Sequence, residues 1–362
     1  MSVKSTLTTL LVLFCFFQSQ SQTTSVSNGN WTSPSTWGGV PPTPGSTVII
    51  NHAVIMDIDY SYNSGSITIN ASGSLTGSSN MRGFALSGGA LTVNGTFNIA
   101  RVGLFSGTVI NSGTFQSDSL LNQTTFQNAS GGTINAPQFM IGAGGVLTNA
   151  GTVVSTNFLN IDTVTNTGSI SSNDFMNTKR FINSSTGVIN TSADFLNADS
   201  LSLTAIFTND GSVNVGNDWQ NRSQINGSGK FCVAQNTKNS GTISGTLDFC
   251  DQTGGSFDLN TGTVAGTVTY CQYSCSVGLT ESNSSMTLEI FPNPNNGHFT
   301  ITPDLRSSKV EIIDILGNCI YKTQTNGLQT DIQLANQAKG IYFCRISDKN
   351  NTVIKTGKII ID

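Results

Sequence analysis

Gly151-Thr152-Val153-Val154-Ser155-Thr156-Asn157-Phe158-Leu159-Asn160-Ile161-Asp162-Thr163-Val164-Thr165-Asn166-Thr167-Gly168-Ser169-Ile170 decides the fold. It opens and closes on a glycine, a small residue and an apolar one. The same pattern recurs at Gly95-Thr96-Phe97, Gly113-Thr114-Phe115, Gly132-Thr133-Ile134, Gly187-Val188-Ile189 and Gly211-Ser212-Val213, with steps of 18, 19, 19, 17, 19 and 24 residues along the whole series. An aromatic series (Phe139, Phe158, Phe175, Phe195, Trp219) steps by 19, 17, 20 and 24. Two independent ladders keeping one period describe stacked coils. The fold class is therefore all-β, a right-handed parallel β-helix. Its inward columns are expected to be Phe97, Phe115, Ile134, Val153, Ile170, Ile189 and Val213 on one wall and the aromatic series on another. Both ladders share their short and long steps, which places the insertions in one turn per coil. Ten to twelve coils at about 4.8 Å each make a rod of roughly 50 to 60 Å.

Asparagines keep the same beat. Asn111, Asn149, Asn166 and Asn209 sit two residues before a ladder glycine, and Asn160, Asn177, Asn197 and Asn221 two residues after a ladder aromatic. Asn tolerates tight corners, and its amide can bond the equivalent group one coil away. We read them as structural corners rather than a ligand-binding row.

Composition fits this reading. Charged residues make up 10% of the 362, with a net charge of −4, against roughly 25% charged in an average soluble protein. No nucleic-acid partner is indicated, and no cofactor is expected. Lys4, the apolar run Leu7 to Phe17 and the small residues Ser19-Gln20-Ser21 read as a signal peptide over 1–21. A cap over 22–60 contains Asn30-Trp31 and Thr36-Trp37-Gly38-Gly39-Val40-Pro41, which resembles the opening of G8-type extracellular modules. Coils then fill 61–278, a linker 279–287, and a last domain 288–362.

That last domain holds four blocks: Leu288-Glu289-Ile290-Phe291-Pro292-Asn293-Pro294-Asn295-Asn296-Gly297, Val310 to Gly317, Gly340-Ile341-Tyr342-Phe343, and Lys355 to Ile361. Alternating apolar residues and turn signals at Gly317-Asn318 and Asn326-Gly327 predict a small antiparallel sandwich. The string resembles the C-terminal sorting domain of type IX secretion cargo in the Bacteroidetes, its marks being Pro292, Asn293, Pro294, Gly297, Gly317, Gly340, Tyr342 and Lys358. The resemblance implies export by the type IX machinery to the outside of the cell, and, as for many such cargoes, attachment to surface lipopolysaccharide. Asp118-Ser119-Leu120, Asp162-Thr163-Val164 and Asp199-Ser200-Leu201 resemble the O-glycosylation site of secreted Bacteroidetes proteins, which implies glycans on Ser119, Thr163 and Ser200. Thr163 and Ser200 fall in the variable turn, where a glycan would project without disturbing the stack.

Cys232, Cys250, Cys271 and Cys275 cluster at the end of the repeat. The 18-residue step between the first two is one coil, and stacked positions lie within disulfide reach. The four are expected to be oxidised rather than to bind zinc, with connectivity open. Cys319 and Cys344 fall in predicted strands, paired or simply buried.

Catalytic groups are sparse. His52 and His298 lie in different predicted domains, and no glutamate precedes Glu281. Asp174, Asp194 and Asp218 each precede a ladder aromatic and should form a column on the outer face. A glycosidase needs two carboxylates about 5 to 10 Å apart, which such a column could supply, but a solvated outer face flanking a buried aromatic explains the column better, and we prefer that explanation. The expectation is a non-enzymatic, adhesin-like or structural surface protein that binds a glycan or another surface. A divergent polysaccharide lyase or glycoside hydrolase is the alternative.

Overall fold

A computed structural model describes residues 22–79, 81–199, 204–273, 275, 288–303, 309–314, 318–325, 329–334, 337–347 and 353–362. The chain divides into two compact units between Cys275 and Ser276. The first is a parallel β-solenoid.

One coil shows how it is built. Asn157–Asn160 lies on the first wall, Thr163–Asn166 on the second and Ser169–Ser172 on the third. Each pairs in parallel with its equivalent one coil on: Phe158 faces Phe175, Val164 faces Phe181, and Ile170 faces Ile189. Thirteen strands make the third wall, and twenty-two make the first and second together. Those two walls are joined because Gly83–Val93 and Arg101–Asn111 run unbroken from one to the other.

Side chains alternate inward and outward along each short strand, as the pleat requires. Phe158, Phe175 and Phe195 stack at 5.2 and 5.1 Å between ring centroids, nearly parallel. Phe97, Phe115, Ile134, Val153, Ile170, Ile189 and Val213 are fully buried on the third wall. The inner column of the second wall, Phe126, Leu147, Val164, Phe181, Phe207 and Ile225, was not singled out from the sequence. Its residues vary too much in size for an aromatic or glycine pattern to expose it.

Both asparagine series are buried ladders. Asn111, Asn128, Asn149, Asn166 and Asn183 each pass an amide hydrogen to the next side-chain oxygen at 2.7 to 2.9 Å, ending on Asn209, whose amide donates to the Lys230 carbonyl at 3.0 Å. Asn160, Asn177, Asn197, Asn221 and Asn239 do the same at 2.8 to 2.9 Å, ending on the exposed Asn260. Asn128 and Asn183 escaped the sequence pattern because four residues, not two, separate them from the following glycine.

The insertions are not confined to one turn. Connections 142–145 and 198–205 lie between the first and second walls, while 129–132 and 184–187 lie between the second and third. A shared step in two ladders cannot tell these corners apart, because every corner lies between successive members of each ladder.

At the N-terminal end, Trp31 and Trp37 meet edge to face, and Trp37 Nε1 donates to the Trp31 carbonyl at 2.7 Å. At the C-terminal end the cysteines are all paired: Cys232 with Cys275 and Cys250 with Cys271. Cys232 and Cys250 do stack in register, yet each bonds a cysteine of the tail, so the tail is tied across the last coils.

The second unit holds a three-stranded sheet (Leu288–Phe291, His298–Pro303, Thr330–Gln333) and a four-stranded one (Cys319–Gln324, Lys309–Ile313, Gly340–Ser347, Val353–Ile361). All its pairings between strands are antiparallel. Phe299, Ile301, Val310, Ile312, Ile332 and Ile359 form its core. Cys344 is buried in this core, which pushes its thiol up to about 12, while Cys319 is exposed; neither is bonded.

Candidate functional site

The outer face of the first wall carries two columns. Ser119, Gln138, Asn157, Asp174, Asp194 and Asp218 stand one residue before the inward aromatic or leucine. One residue after it stand Leu121, Met140, Leu159, Met176 and Leu196, all half-buried and all facing outward. A polar and acidic column thus runs beside an apolar stripe, in register, over successive coils.

The aspartates sit where the stripe dips. Asp174, Asp194, Asp218, Met176, Leu196 and Gln220 line an open cleft of about 400 Å³. Asp174 and Asp194 are exposed and Asp218 is half-buried. The column is braced by the backbone: the Asp218 amide and the Asn217 side chain donate to Asp194 Oδ1 at 3.2 and 2.7 Å. The Asn236 side chain donates to Asp218 at 2.9 Å, and the Asp194 amide reaches Asp174 at 3.4 Å. Neighbouring carboxylates are one coil apart, about 4.8 Å, and Asp174 and Asp218 two coils apart, about 9.6 Å. Among the described residues lining this cleft none is basic. Lys179 is engaged elsewhere, with Asp162 at 2.8 Å. Burial raises the Asp162 carboxyl, but hydrogen bonds from Lys179, the Gly144 amide and Thr163 outweigh it and hold it below the ordinary range.

The other residues singled out from the sequence are dispersed. Ser119 begins a first-wall strand and is exposed; Thr163 begins a second-wall strand and is half-buried, its hydroxyl on Asp162 at 3.1 Å. Thr163 therefore opens a strand rather than occupying the variable turn. Ser200 lies outside the described residues, as do Gly317 and the segments 1–21 and 279–287. The His52 ring hydrogen-bonds the Ser25 hydroxyl at 3.0 Å. No group of three metal-ligating side chains occurs among the described residues.

In the C-terminal unit, Asn293 donates to the Lys358 carbonyl at 2.7 Å and accepts the Ile360 amide at 2.8 Å, fixing the turn after the first strand to the last strand. Gly297 has φ +95, and a Cβ there would press within 2.8 Å of the Leu334 carbonyl. The Tyr342 hydroxyl donates to the Ala338 carbonyl at 2.7 Å. Residues 289–362 match the model of a secretion system C-terminal sorting domain.

The C-terminal unit is a secretion sorting domain. The chain is therefore cargo for the type IX secretion machinery, secreted or displayed at the cell surface, with a β-solenoid as passenger. A stretch of 66 residues is also 39% identical to an endo-acting ulvan lyase of Formosa agariphila. It covers 18% of this chain and only 13% of that protein's length. The expectation of a non-enzymatic protein is corrected by this likeness, since a protein that shares sequence with the chain is named as a polysaccharide lyase. The aspartate column does stand on the outer face, with Asp174 and Asp194 exposed; periodicity locates a residue on a wall but is blind to a depression in that wall.

Proposed function

We propose that the protein is an exported polysaccharide-acting enzyme that holds a sugar chain in the first-wall cleft and cleaves it with the aspartate column. The observation that carries this reading is the stacking of Asp174, Asp194 and Asp218 in an open cleft floored by Met176 and Leu196. Retaining glycosidases place two carboxyl groups about 5 Å apart, one as nucleophile and one as acid and then base. The one-coil separation of Asp174 and Asp194 suits that arrangement. Two hydrogen bonds fix the orientation of the Asp194 carboxylate, which suits the nucleophile; Asp174, with the single long contact, is freer to turn towards a leaving-group oxygen and suits the acid. Elimination chemistry would need a base beside a group that neutralises a uronate, and the lining residues contribute no cation. Hydrolysis is the better-supported reaction. The same face suits attachment to a glycan-bearing surface, since attachment and cleavage share the saccharide-binding step. Lipopolysaccharide attachment and glycans on Ser119, Thr163 and Ser200 belong to the same proposal for the exported form.

The test is incubation of the secreted chain with xylan, mannan, carboxymethylcellulose, alginate and ulvan, followed by sizing of the products. Oligosaccharide release is expected, falling by a factor of about 10² to 10⁴ in Asp174→Asn and Asp194→Asn. Products absorbing as unsaturated sugars would replace hydrolysis with elimination. Intact polymers throughout would refute cleavage.

A further inference from the structure

A second depression lies on the same outer face, towards the N-terminal end of the solenoid. It encloses about 560 Å³ and is lined by residues that include Arg101, Gly103 and Phe105. Phe105 is 47% exposed in a chain whose other phenylalanines in the solenoid are mostly interior. Its position has a local cause. The strand Arg101–Asn111 slips register against Gly83–Val93 on either side of Ser106, so Leu104 faces Leu86, Ser106 faces Ser87, and Phe105 is left without a partner. Bulges of this kind re-aim a side chain. The freed ring folds back over Gly103: a Cβ on that glycine would stand 2.5 Å from the ring. The absence of a side chain at 103 is what lets an aromatic ring lie against the wall. Arg101, two residues earlier, is tied down by hydrogen bonds from its guanidinium to the Met81 carbonyl.

The two depressions lie on the same outer wall, separated by the coil that carries Gln138 and Met140. Arg101 pairs with Ser119, Ser119 with Gln138, Gln138 with Asn157 and Asn157 with Asp174, so the phenylalanine platform and the first aspartate are four coils apart, about 19 Å. Along that path the outer face keeps one character. Leu121, Met140 and Leu159 continue the apolar stripe, and Ser119, Gln138 and Asn157 continue the hydrogen-bonding column, Asn157 Nδ2 donating to Gln138 at 3.1 Å. The coil repeat is close to the rise of one ring in an extended sugar chain. A pyranose with equatorial substituents has flat C–H faces for an apolar floor and a rim of hydroxyls for amides and carboxylates.

We infer that the groove from Phe105 to Asp194 binds a single unbranched, neutral, β-linked polysaccharide of gluco or xylo configuration, laid along the solenoid axis with about one ring per coil. Phe105 forms its distal subsite. This rests on the reading of the aspartate cleft as the saccharide site and adds the substrate class, its direction and its length. The column of three carboxylates disfavours a polyanion at that end, and the run of outward apolar side chains favours rings free of axial groups.

Binding is measured by calorimetry on the full chain carrying Asp194→Asn, with xylohexaose, cellohexaose and the corresponding trisaccharides as probes. Hexasaccharides are expected to bind about tenfold more tightly than trisaccharides, a difference of about 1.4 kcal/mol. Phe105→Ala should erase that advantage and leave trisaccharide binding unchanged. Gly103→Ala, which displaces the ring without removing it, should give an intermediate loss. Equal binding of both lengths, or a length advantage that survives Phe105→Ala, overturns the groove while leaving the aspartate cleft standing. Binding of alginate or ulvan alone overturns the neutral substrate class. A protein that neither binds nor shortens any saccharide overturns the groove and the proposed function together.

Discussion

In the solenoid each inner side chain meets the residue at the equivalent position one coil away, often one of its own kind: Phe158 on Phe175, Asn160 on Asn177. In the C-terminal unit each meets something different. Ile312 lies between Tyr321 and Cys344, and Glu311 between Lys322 and Arg345. Parallel in-register stacking makes equivalent positions neighbours, so a residue that packs well against itself is favoured repeatedly and the sequence becomes periodic. Antiparallel pairing across a sandwich asks only for complementary partners, and no period results. Polar groups are buried accordingly. The solenoid buries amides in a chain of mutual hydrogen bonds, whereas the C-terminal unit buries one carboxylate inside a ring of cations.

That contrast can be broken at its strongest point by Phe175→Ala. The ring packs against Phe158, Phe195, Phe181 and Phe207, and rigid neighbours on both coils cannot close the gap. A loss of about 3 to 5 kcal/mol is expected. It should appear in calorimetry as a lowered solenoid transition with the C-terminal transition unmoved. A single transition that shifts as a whole would show that the two units do not unfold independently.

Asn177→Ala is a smaller perturbation of the same stack. It removes the donor to the buried Asn197 oxygen and one of the acceptors of the buried Asn160 amide. A cost of about 1 to 3 kcal/mol follows from unsatisfied buried polar groups. If urea denaturation places Asn177→Ala within error of the parent, the ladder contributes shape but no stability.

The smallest effect belongs to the C-terminal unit and to acid. Hydrogen bonds from Arg345 and then Lys322 hold the Glu311 carboxyl down at about 2, against the opposing effect of burial. A depressed carboxyl stabilises the fold fully above its ordinary value near 4.5. That stabilisation is lost as pH falls from there towards 2. Melting of the C-terminal unit should therefore drop across this window, and Glu311→Gln should flatten the drop. An unchanged slope in the variant would assign acid sensitivity to other carboxylates.

The aspartate cleft shows how far periodicity reaches. Asp174, Asp194 and Asp218 could be placed on one outward column because each precedes a buried aromatic by one residue. Their lining of a depression could not be foreseen, since it depends on how far successive coils project. Phe105 was harder still. It falls outside both ladders, and its exposure arises from a register slip between two strands that pair only in the folded chain.

By itself the sequence determined the coil, its period, two of its three inner columns, the asparagine corners and the export domain, because each rests on spacing between residues near in sequence or on a contiguous motif. Tertiary structure alone decided the rest: where the insertions sit, which cysteines join, and that an acidic cleft and an aromatic platform share one wall. Those depend on distances across the stack, and equal spacing in a chain leaves such distances free until the coils are closed.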